Sequence, residues 1–272
     1  MNEMFDLKDK VVVITGAGGV LCGAMAKAVA KAGAKVAVLD LLEEAAKKVA
    51  DEIENDGGKA IGVKCNVLQK DTLEAAKNGI NAKFGPIDIL INGAGGNKKE
   101  ATTSPDMSFF NLPADAIRFV FELNFIGTLL PTQVFAKDMA ERGEGVILNI
   151  SSMNAFRPLT KIAAYSAAKA AVSNFTQWLA VHMCQNFSKN IRVNAIAPGF
   201  FLTEQNRFLL TDEKTGQPTP RGKTIIDHIP MNRYGQADEL SGTVVWLLSD
   251  AAKYVTGIVV PVDGGFSAFS GV

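Results

Sequence analysis

Seven short runs of continuous apolar, largely β-branched residues punctuate this chain, at 10–15, 35–40, 60–65, 87–92, 145–151, 191–197 and 257–262. A run such as Val11-Val12-Val13-Ile14 shows no alternation of apolar and polar residues, so it predicts a strand covered on both faces. Most runs are separated by segments with the period of a helix, and strands alternating with helices predict a parallel sheet. The 272 residues carry no repeat, low-complexity linker or composition shift. The expectation is one doubly wound α/β domain over residues 1–272, with about seven parallel strands and helices on both sides.

Charge narrows the partners. Lys and Arg number 28 and Asp and Glu number 28, which leaves a formal net charge of zero and no field to attract nucleic acid or an anionic membrane. The three cysteines, Cys22, Cys65 and Cys184, are scattered, and the chain has only two histidines. This argues against a disulfide framework and against a metal site. The N-terminus lacks the basic-then-apolar layout of a signal peptide, and no apolar run reads as long enough to span a bilayer, so the expected compartment is the cytoplasm.

Two polar stretches rich in Pro, Gly and Asn break the rhythm, 95–113 and 199–235. Each follows a strand at its carboxyl end, where open α/β sheets bind ligands, and they are read as substrate wall and substrate lid. The first strand runs into a glycine-rich turn, Thr15-Gly16-Ala17-Gly18-Gly19-Val20-Leu21-Cys22-Gly23, before a helix expected to begin near Leu21. Glycines let a ligand approach the backbone, and the amides and dipole of a helix start favour a pyrophosphate. Tight turns use the same residues, so the flanking strand and helix carry the argument. Asp40 ends the second strand, 24 residues beyond Gly16. A carboxylate there accepts hydrogen bonds from the hydroxyls of an adenosine ribose and repels a 2′-phosphate. Leu41 and Leu42 follow with no adjacent cation, which favours NAD(H) over NADP(H). The competing reading makes Asp40 a cap for the helix announced by Glu43 and Glu44. Strand, glycine turn and acidic residue together form the pattern of a Rossmann dinucleotide site.

Tyr165 and Lys169 lie four residues apart in an Ala-rich segment, thirteen residues after Ser152. Positions i and i+4 of a helix face the same way, so a phenol and an ammonium would project side by side into one cleft. Lowering a tyrosine from a pKa of about 10 to about 7 takes roughly 4 kcal/mol of extra phenolate stabilisation, which a neighbouring cation can contribute.

These motifs together resemble the short-chain dehydrogenase/reductase family over nearly the whole chain. The family's Thr-Gly-x-x-x-Gly-x-Gly turn is similar to residues 15–22, its Asn-x-Ala-Gly to Asn92-Gly93-Ala94-Gly95, and its helix asparagine to Asn124 in Leu-Asn-Phe-Ile-Gly-Thr. Ser152, Tyr165 and Lys169 match its catalytic residues, Pro198-Gly199 and Thr203 match its nicotinamide-contacting stretch, and Asn66-Val67 falls where an Asp-Val pair meets the adenine. The turn departs from the family, whose second and third glycines fall at Val20 and Cys22, with Gly19 and Gly23 beside them. Which amides among Gly16, Gly18, Gly19, Val20 and Leu21 meet phosphate is therefore left open. Cys22 is read as a packing residue, with oxidation near the cofactor as the alternative.

The resemblance implies hydride transfer between nicotinamide and a carbinol carbon. Tyr165 would be the acid or base, Lys169 would lower its pKa and hold the nicotinamide ribose, and Ser152 would bond the substrate oxygen. Asn92, Ala94 and Gly95 would border the cofactor. Asn124 would link Lys169 to solvent through water, or else satisfy a local helix distortion. Ser151 competes with Ser152; the thirteen-residue spacing to Tyr165 selects Ser152.

The loops carry amides and cations: Asn97, Lys98 and Lys99 in the first stretch, Asn154 and Arg157 after Ser152, and Thr203-Glu204-Gln205-Asn206-Arg207 in the second. Such groups suit a polyhydroxylated acid better than an acyl chain or steroid. Lys98, Asn154 and Arg207 are expected as substrate contacts with Ser152. These stretches resemble those of the family's hexuronate-converting members, which implies a keto or hydroxy sugar acid, D-fructuronate and D-mannonate. The alternatives are another sugar or polyol dehydrogenase such as a gluconate 5-dehydrogenase, a 3-oxoacyl carrier-protein reductase, which Asp40 opposes, and a nicotinamide-binding regulator without chemistry, which the intact Ser152, Tyr165 and Lys169 oppose. Small residues along Ala167-Ala168-Lys169-Ala170-Ala171 let another helix approach closely. The resemblance implies a homotetramer built on this helix and the preceding one, with a second contact through the last strand and the Gly264-Gly265-Phe266 tail; a dimer stays open.

Overall fold

The computed structural model describes residues 3–203, 207, 210–212 and 215–271. Among these, seven strands form one sheet: β1 Val11–Thr15, β2 Lys35–Asp40, β3 Lys59–Lys64, β4 Ile89–Asn92, β5 Gly145–Ile150, β6 Ile191–Pro198 and β7 Val259–Val262. Every apolar run of the sequence is a strand, with ends moved by no more than two residues. The order across the sheet is β3-β2-β1-β4-β5-β6-β7, and every pairing is parallel.

Eight α-helices are described: α1 Val20–Lys31, α2 Glu43–Asn55, α3 Lys70–Phe84, α4 Ala114–Phe121, α5 Gly127–Arg142, α6 Ala163–Asn186, α7 Pro220–Asp227 and α8 Ser241–Leu248. Because side chains alternate along a strand, β1 sends Val12 and Ile14 to one face and Val11 and Val13 to the other. The first pair joins a core with Met25 and Val29 of α1, Val49 and Ile53 of α2, and Val244 and Leu247 of α8. The second joins Leu73 and Ile80 of α3, Phe135 and Met139 of α5, and Leu179 and Met183 of α6. Two cores back to back explain why these strands read as unbroken apolar runs.

One sequence reading needs correction. The continuous helical stretch Ala114–Arg142 is long and apolar enough, by length and composition, to cross a membrane, and half of its most apolar window is buried in the fold. It joins α4 to α5 through a π-helical segment, Glu122–Ile126, and α5 packs against α3, β4 and β5. Packing of this kind demands the same hydropathy as a span.

The strand order reverses between β1 and β4, which opens a crevice at their carboxyl ends. The glycine turn after β1 and the segment after β4 flank that crevice. Thr15 fastens them together, its buried hydroxyl accepting from the amides of Gly93 at 3.1 Å and Ala94 at 3.2 Å. Gly16 has φ +67, and a Cβ there would sit 2.8 Å from the Ala94 Cα, so only glycine allows the two loops to meet.

Candidate active site

Helix α1 begins at Val20, one residue earlier than expected, with Gly19 as its extended N-cap. The Gly19 amide bonds the Gly16 carbonyl, and the helix ladder opens with Gly23 donating to the Gly19 carbonyl at 2.8 Å. The amides of Val20, Leu21 and Cys22 therefore have no intrahelical partner, as expected of a first turn. Gly19 and Gly23, displaced by one residue from the family's spacing, serve as the cap and the first ladder donor. Cys22 is buried in the core beside the cleft, and burial pushes its thiol up to about 12, which disfavours the thiolate.

Asp40 stands across from this turn. Its carboxylate accepts the Gly18 amide at 3.0 Å through one oxygen and the Leu42 amide at 3.0 Å through the other. Neither bond reaches an amide of α2 itself, which begins at Glu43 after its N-cap Leu42, so the carboxylate is not capping that helix's first-turn amides. Sheet register adds what linear order hid: Lys64 of β3 is the partner of Asp40, and its side chain is exposed. Asn66 uses its side-chain oxygen on the Leu68 amide within its own turn, and Val67 is buried, with its methyl 3.0 Å from where a Cβ on Gly127 would lie.

A cleft of about 380 Å³ runs from this turn to the end of α6. Its phosphate-like end has Gly16, Gly18, Gly19, Val20 and Leu21; Gly95 and Gly96 line the middle; Ser152, Tyr165, Lys169, Pro198, Gly199 and Thr203 line the far end. Most of the residues expected from sequence thus converge. Phe201, buried at the lid base, also lines the cleft, and the sequence reading missed it because an apolar residue in a polar stretch carries no chemical signal. Asp40, Asn66, Val67, Asn92, Ala94 and Asn124 are expected residues that do not line the cleft, and the Asn92 side chain faces elsewhere. It is 1% exposed and donates to Thr132 Oγ1 and Asn149 Oδ1, both at 2.9 Å, inside the β4–β5–α5 layer.

Lys169 is buried and donates to the Ile150 carbonyl at 2.8 Å, with its nitrogen 5.6 Å from the Tyr165 ring centre. A Cβ on Gly95 would sit 2.6 Å from Asn124 Oδ1 and 3.2 Å from Lys169 Nζ, so the amide and ammonium close on the same glycine. Asn124 itself is fully committed. Its amide nitrogen donates to the Gly96 carbonyl and the Val120 carbonyl, both at 2.7 Å, and its oxygen accepts the Gly96 amide at 3.1 Å. The Val120 bond occurs where the π-helical segment interrupts the α-helical ladder, which favours the helix-distortion reading of Asn124. Asn124 also holds the loop after β4 against Lys169.

The two serines separate cleanly. Ser151 shares its hydroxyl with Ser173 at 2.7 Å and donates to the Lys169 carbonyl, so it fastens β5 to α6. Ser152 Oγ accepts only the Asn154 amide, at 3.3 Å, and adjoins the Tyr165 phenol. The expected direction of the tyrosine shift is corrected here. Burial raises the Tyr165 pKa, and the Ser152 hydroxyl draws it back. Burial lowers Lys169 to about 8. Both groups lie in a low-dielectric cleft that disfavours their charged forms, and the ammonium is turned toward the Ile150 carbonyl.

The expected substrate contacts are less convergent. Lys98 lies over the Phe119 ring at 5.1 Å. Asn154 is buried and lines a different cleft, with Thr103, Lys161 and Ser166, from the one that holds Tyr165. Arg207 is exposed on the lid, its amide bonded to the Thr203 carbonyl. Glu204, Gln205 and Asn206 of the expected lid lie outside the described residues.

Residues 17–267 match a family model described as enoyl-(acyl carrier protein) reductase. An uncharacterised oxidoreductase of Haemophilus influenzae is 53% identical over 98% of this chain and 96% of that protein. The 7α-hydroxysteroid dehydrogenase of Escherichia coli is 34% identical over 97% of this chain and 96% of that protein. A crystal structure from Haemophilus influenzae, described as a candidate D-mannonate oxidoreductase with bound NAD, is 51% identical, covers 98% of each chain and superposes with a TM-score of 0.92. The fold, the glycine turn and the Ser152, Tyr165 and Lys169 constellation define a dinucleotide-type oxidoreductase acting on alcohol or keto groups. The chain belongs to the short-chain dehydrogenase/reductase family.

Proposed function

We propose that this protein is an NAD(H)-dependent oxidoreductase that reduces the keto group of a sugar acid, D-fructuronate, to D-mannonate. The observation that carries the reading is the single cleft in which a helix start with unpaired amides lies at one end and Ser152, Tyr165 and Lys169 at the other. The residues fit a dinucleotide. The first-turn amides of α1 would hold the pyrophosphate, and Asp40, whose oxygens each retain acceptor capacity, would hold the adenosine ribose. Its negative charge favours NAD(H), while Lys64 in register beside it is the one feature that would soften the preference.

When bound, the nicotinamide supplies the hydride, and every other part of the reaction falls to this chain. Ser152, whose hydroxyl accepts the Asn154 amide and adjoins the Tyr165 phenol, would turn its hydrogen to the substrate carbonyl oxygen. Tyr165, a phenol whose pKa is raised by its surroundings, would give its phenolic proton to that oxygen as the carbon is reduced. Lys169, with an ammonium poised near pH 8, would stabilise the phenolate left behind and be the group through which the proton is restored.

The relative named for D-mannonate supports the substrate. The test is loss of NADH absorbance with D-fructuronate, beside 5-ketogluconate, tagaturonate and an acetoacetyl thioester, each repeated with NADPH and with Tyr165→Phe. Fast turnover of D-fructuronate with NADH supports the reading. Preference for another ketone moves the protein to a different member of the family.

A homotetramer is part of the same proposal. Helix α6 exposes Ala163, Ala167 and Ala170 near its start and Trp178 and Val181 further on, with Trp178 stacked on His182 at 4.7 Å. Exposed apolar surface of this kind on a helix otherwise packed against the sheet favours burial against a second copy. Light scattering on the eluting protein would distinguish tetramer from dimer.

A further inference from the structure

We propose that Arg157 is the residue that recognises the substrate carboxylate, and that the C-terminal tail holds it in position for that task; this rests on the sugar-acid reading above. The turn that carries Ser152 continues directly to Arg157. Met153–Ala155 form a single 3-10 turn, with Ala155 donating to the Ser152 carbonyl, and Arg157 donates to the Met153 carbonyl, so the chain from Ser152 to Arg157 is compact. The Arg157 side chain is exposed, and its Nε donates to the Ser267 carbonyl at 3.2 Å. With Nε occupied, the two terminal nitrogens form the remaining fork, which is the end that binds a carboxylate with two parallel hydrogen bonds. Among the described residues, Arg157 makes no ion pair, so that fork is uncommitted.

The tail that orients it is built. Asp263 accepts the amides of Gly265 and Ser267, both at 2.9 Å, which fixes the Ser267 carbonyl. Phe266 packs edge-on against Phe200 at 5.2 Å, in a small apolar core with Leu202 and Leu210 of the lid. Arg157 therefore joins the Ser152 turn to the tail, whose Phe266 packs against Phe200. Two other cations are committed elsewhere. Arg233 is bound by both oxygens of Glu239 at 2.6 and 2.8 Å, and the Lys98 ammonium lies over an aromatic ring.

The test compares a keto acid with its own methyl ester, which keeps every hydroxyl and removes the charge. Wild type, Arg157→Gln, Arg157→Lys and Phe266→Ala are assayed with D-fructuronate, 5-ketogluconate and tagaturonate, and with the ester of whichever acid turns over. Arg157→Gln is expected to raise KM for the acid about 30-fold, equal to roughly 2 kcal/mol at 1.4 kcal/mol per tenfold, and to leave KM for the ester and the NADH affinity within about threefold. Arg157→Lys should recover only part of the loss, because an ammonium has no fork. Phe266→Ala should move KM for the acid in the same direction by a smaller factor. If the protein prefers a keto acid other than D-fructuronate and Arg157→Gln still acts on the acid alone, the proposal stands while the named substrate falls. A wild type without acid preference, an Arg157→Gln that affects acid and ester alike, or no turnover of any keto acid would overturn it.

Discussion

Replacing Lys169 with Met tests whether its buried ammonium is held at the expense of stability. Lys169 is buried, and burial lowers its pKa from an ordinary 10.5 to about 8. Between those two values the unfolded chain binds a proton that the folded chain does not, so folding becomes more favourable as pH rises through that window and less favourable as it falls toward pH 8. Linkage over pH 7 to 10 gives a change of about 2.5 kcal/mol, and below pH 7 the penalty is complete at about 3 kcal/mol. Lys169→Met keeps the length of the side chain and removes the titration, leaving the Ile150 carbonyl without its donor. Its absolute stability at pH 7 therefore reflects two opposed effects of similar size. The pH dependence isolates the first. Urea unfolding of both proteins at fixed concentration, at pH 7 and at pH 10, should show wild type gaining about 2.5 kcal/mol relative to the variant. Equal pH dependence in the two proteins would refute the argument, because it would mean that the ammonium keeps an ordinary pKa. The variant should also lose turnover while remaining folded.

Tyr165→Phe should lower turnover by about 10³-fold or more, with NADH binding by fluorescence unchanged within about threefold; retained turnover would remove the phenol from the mechanism. Asp40→Ser should raise kcat/KM with NADPH relative to NADH by about tenfold or more, since a carboxylate that opposes a 2′-phosphate is gone and Lys64 remains in register. An unchanged ratio would place the ribose elsewhere. Gly16→Ala forces a side chain into a left-handed backbone and within 2.8 Å of the Ala94 backbone, so it should destabilise by about 2 kcal/mol or more and weaken NADH binding together. Chemical unfolding and NADH titration of the same preparation would check this, and a stable variant with normal NADH affinity would contradict the close approach of the two loops.

The sequence determined the sheet, because strands buried on both faces must be apolar at every position, and β1, with all five residues buried, leaves no other reading. It also determined the chemistry-bearing set. A glycine turn between strand and helix, a carboxylate at the end of β2, and a phenol and ammonium at helical spacing are local patterns, fixed by neighbours in the chain. What it could not carry was direction and company. Asn92 reads like a cleft residue, yet its side chain turns into the β5–α5 layer to meet Asn149 and Thr132, partners 57 and 40 residues away. Lys64 reads as an unrelated surface cation until parallel register sets it beside Asp40.

The electrostatics of Tyr165 and Lys169 likewise belong to the tertiary structure. Spacing alone suggests that Lys169 lowers Tyr165; burial of both, with the ammonium bound by the Ile150 carbonyl, raises the phenol and lowers the amine instead. The same holds for Arg157, whose orientation comes from a carbonyl 110 residues further along the chain. Local pattern follows from covalent neighbours and periodicity. Charge state, side-chain direction and ligand-facing geometry depend on what is packed alongside, and only the folded chain brings those groups together.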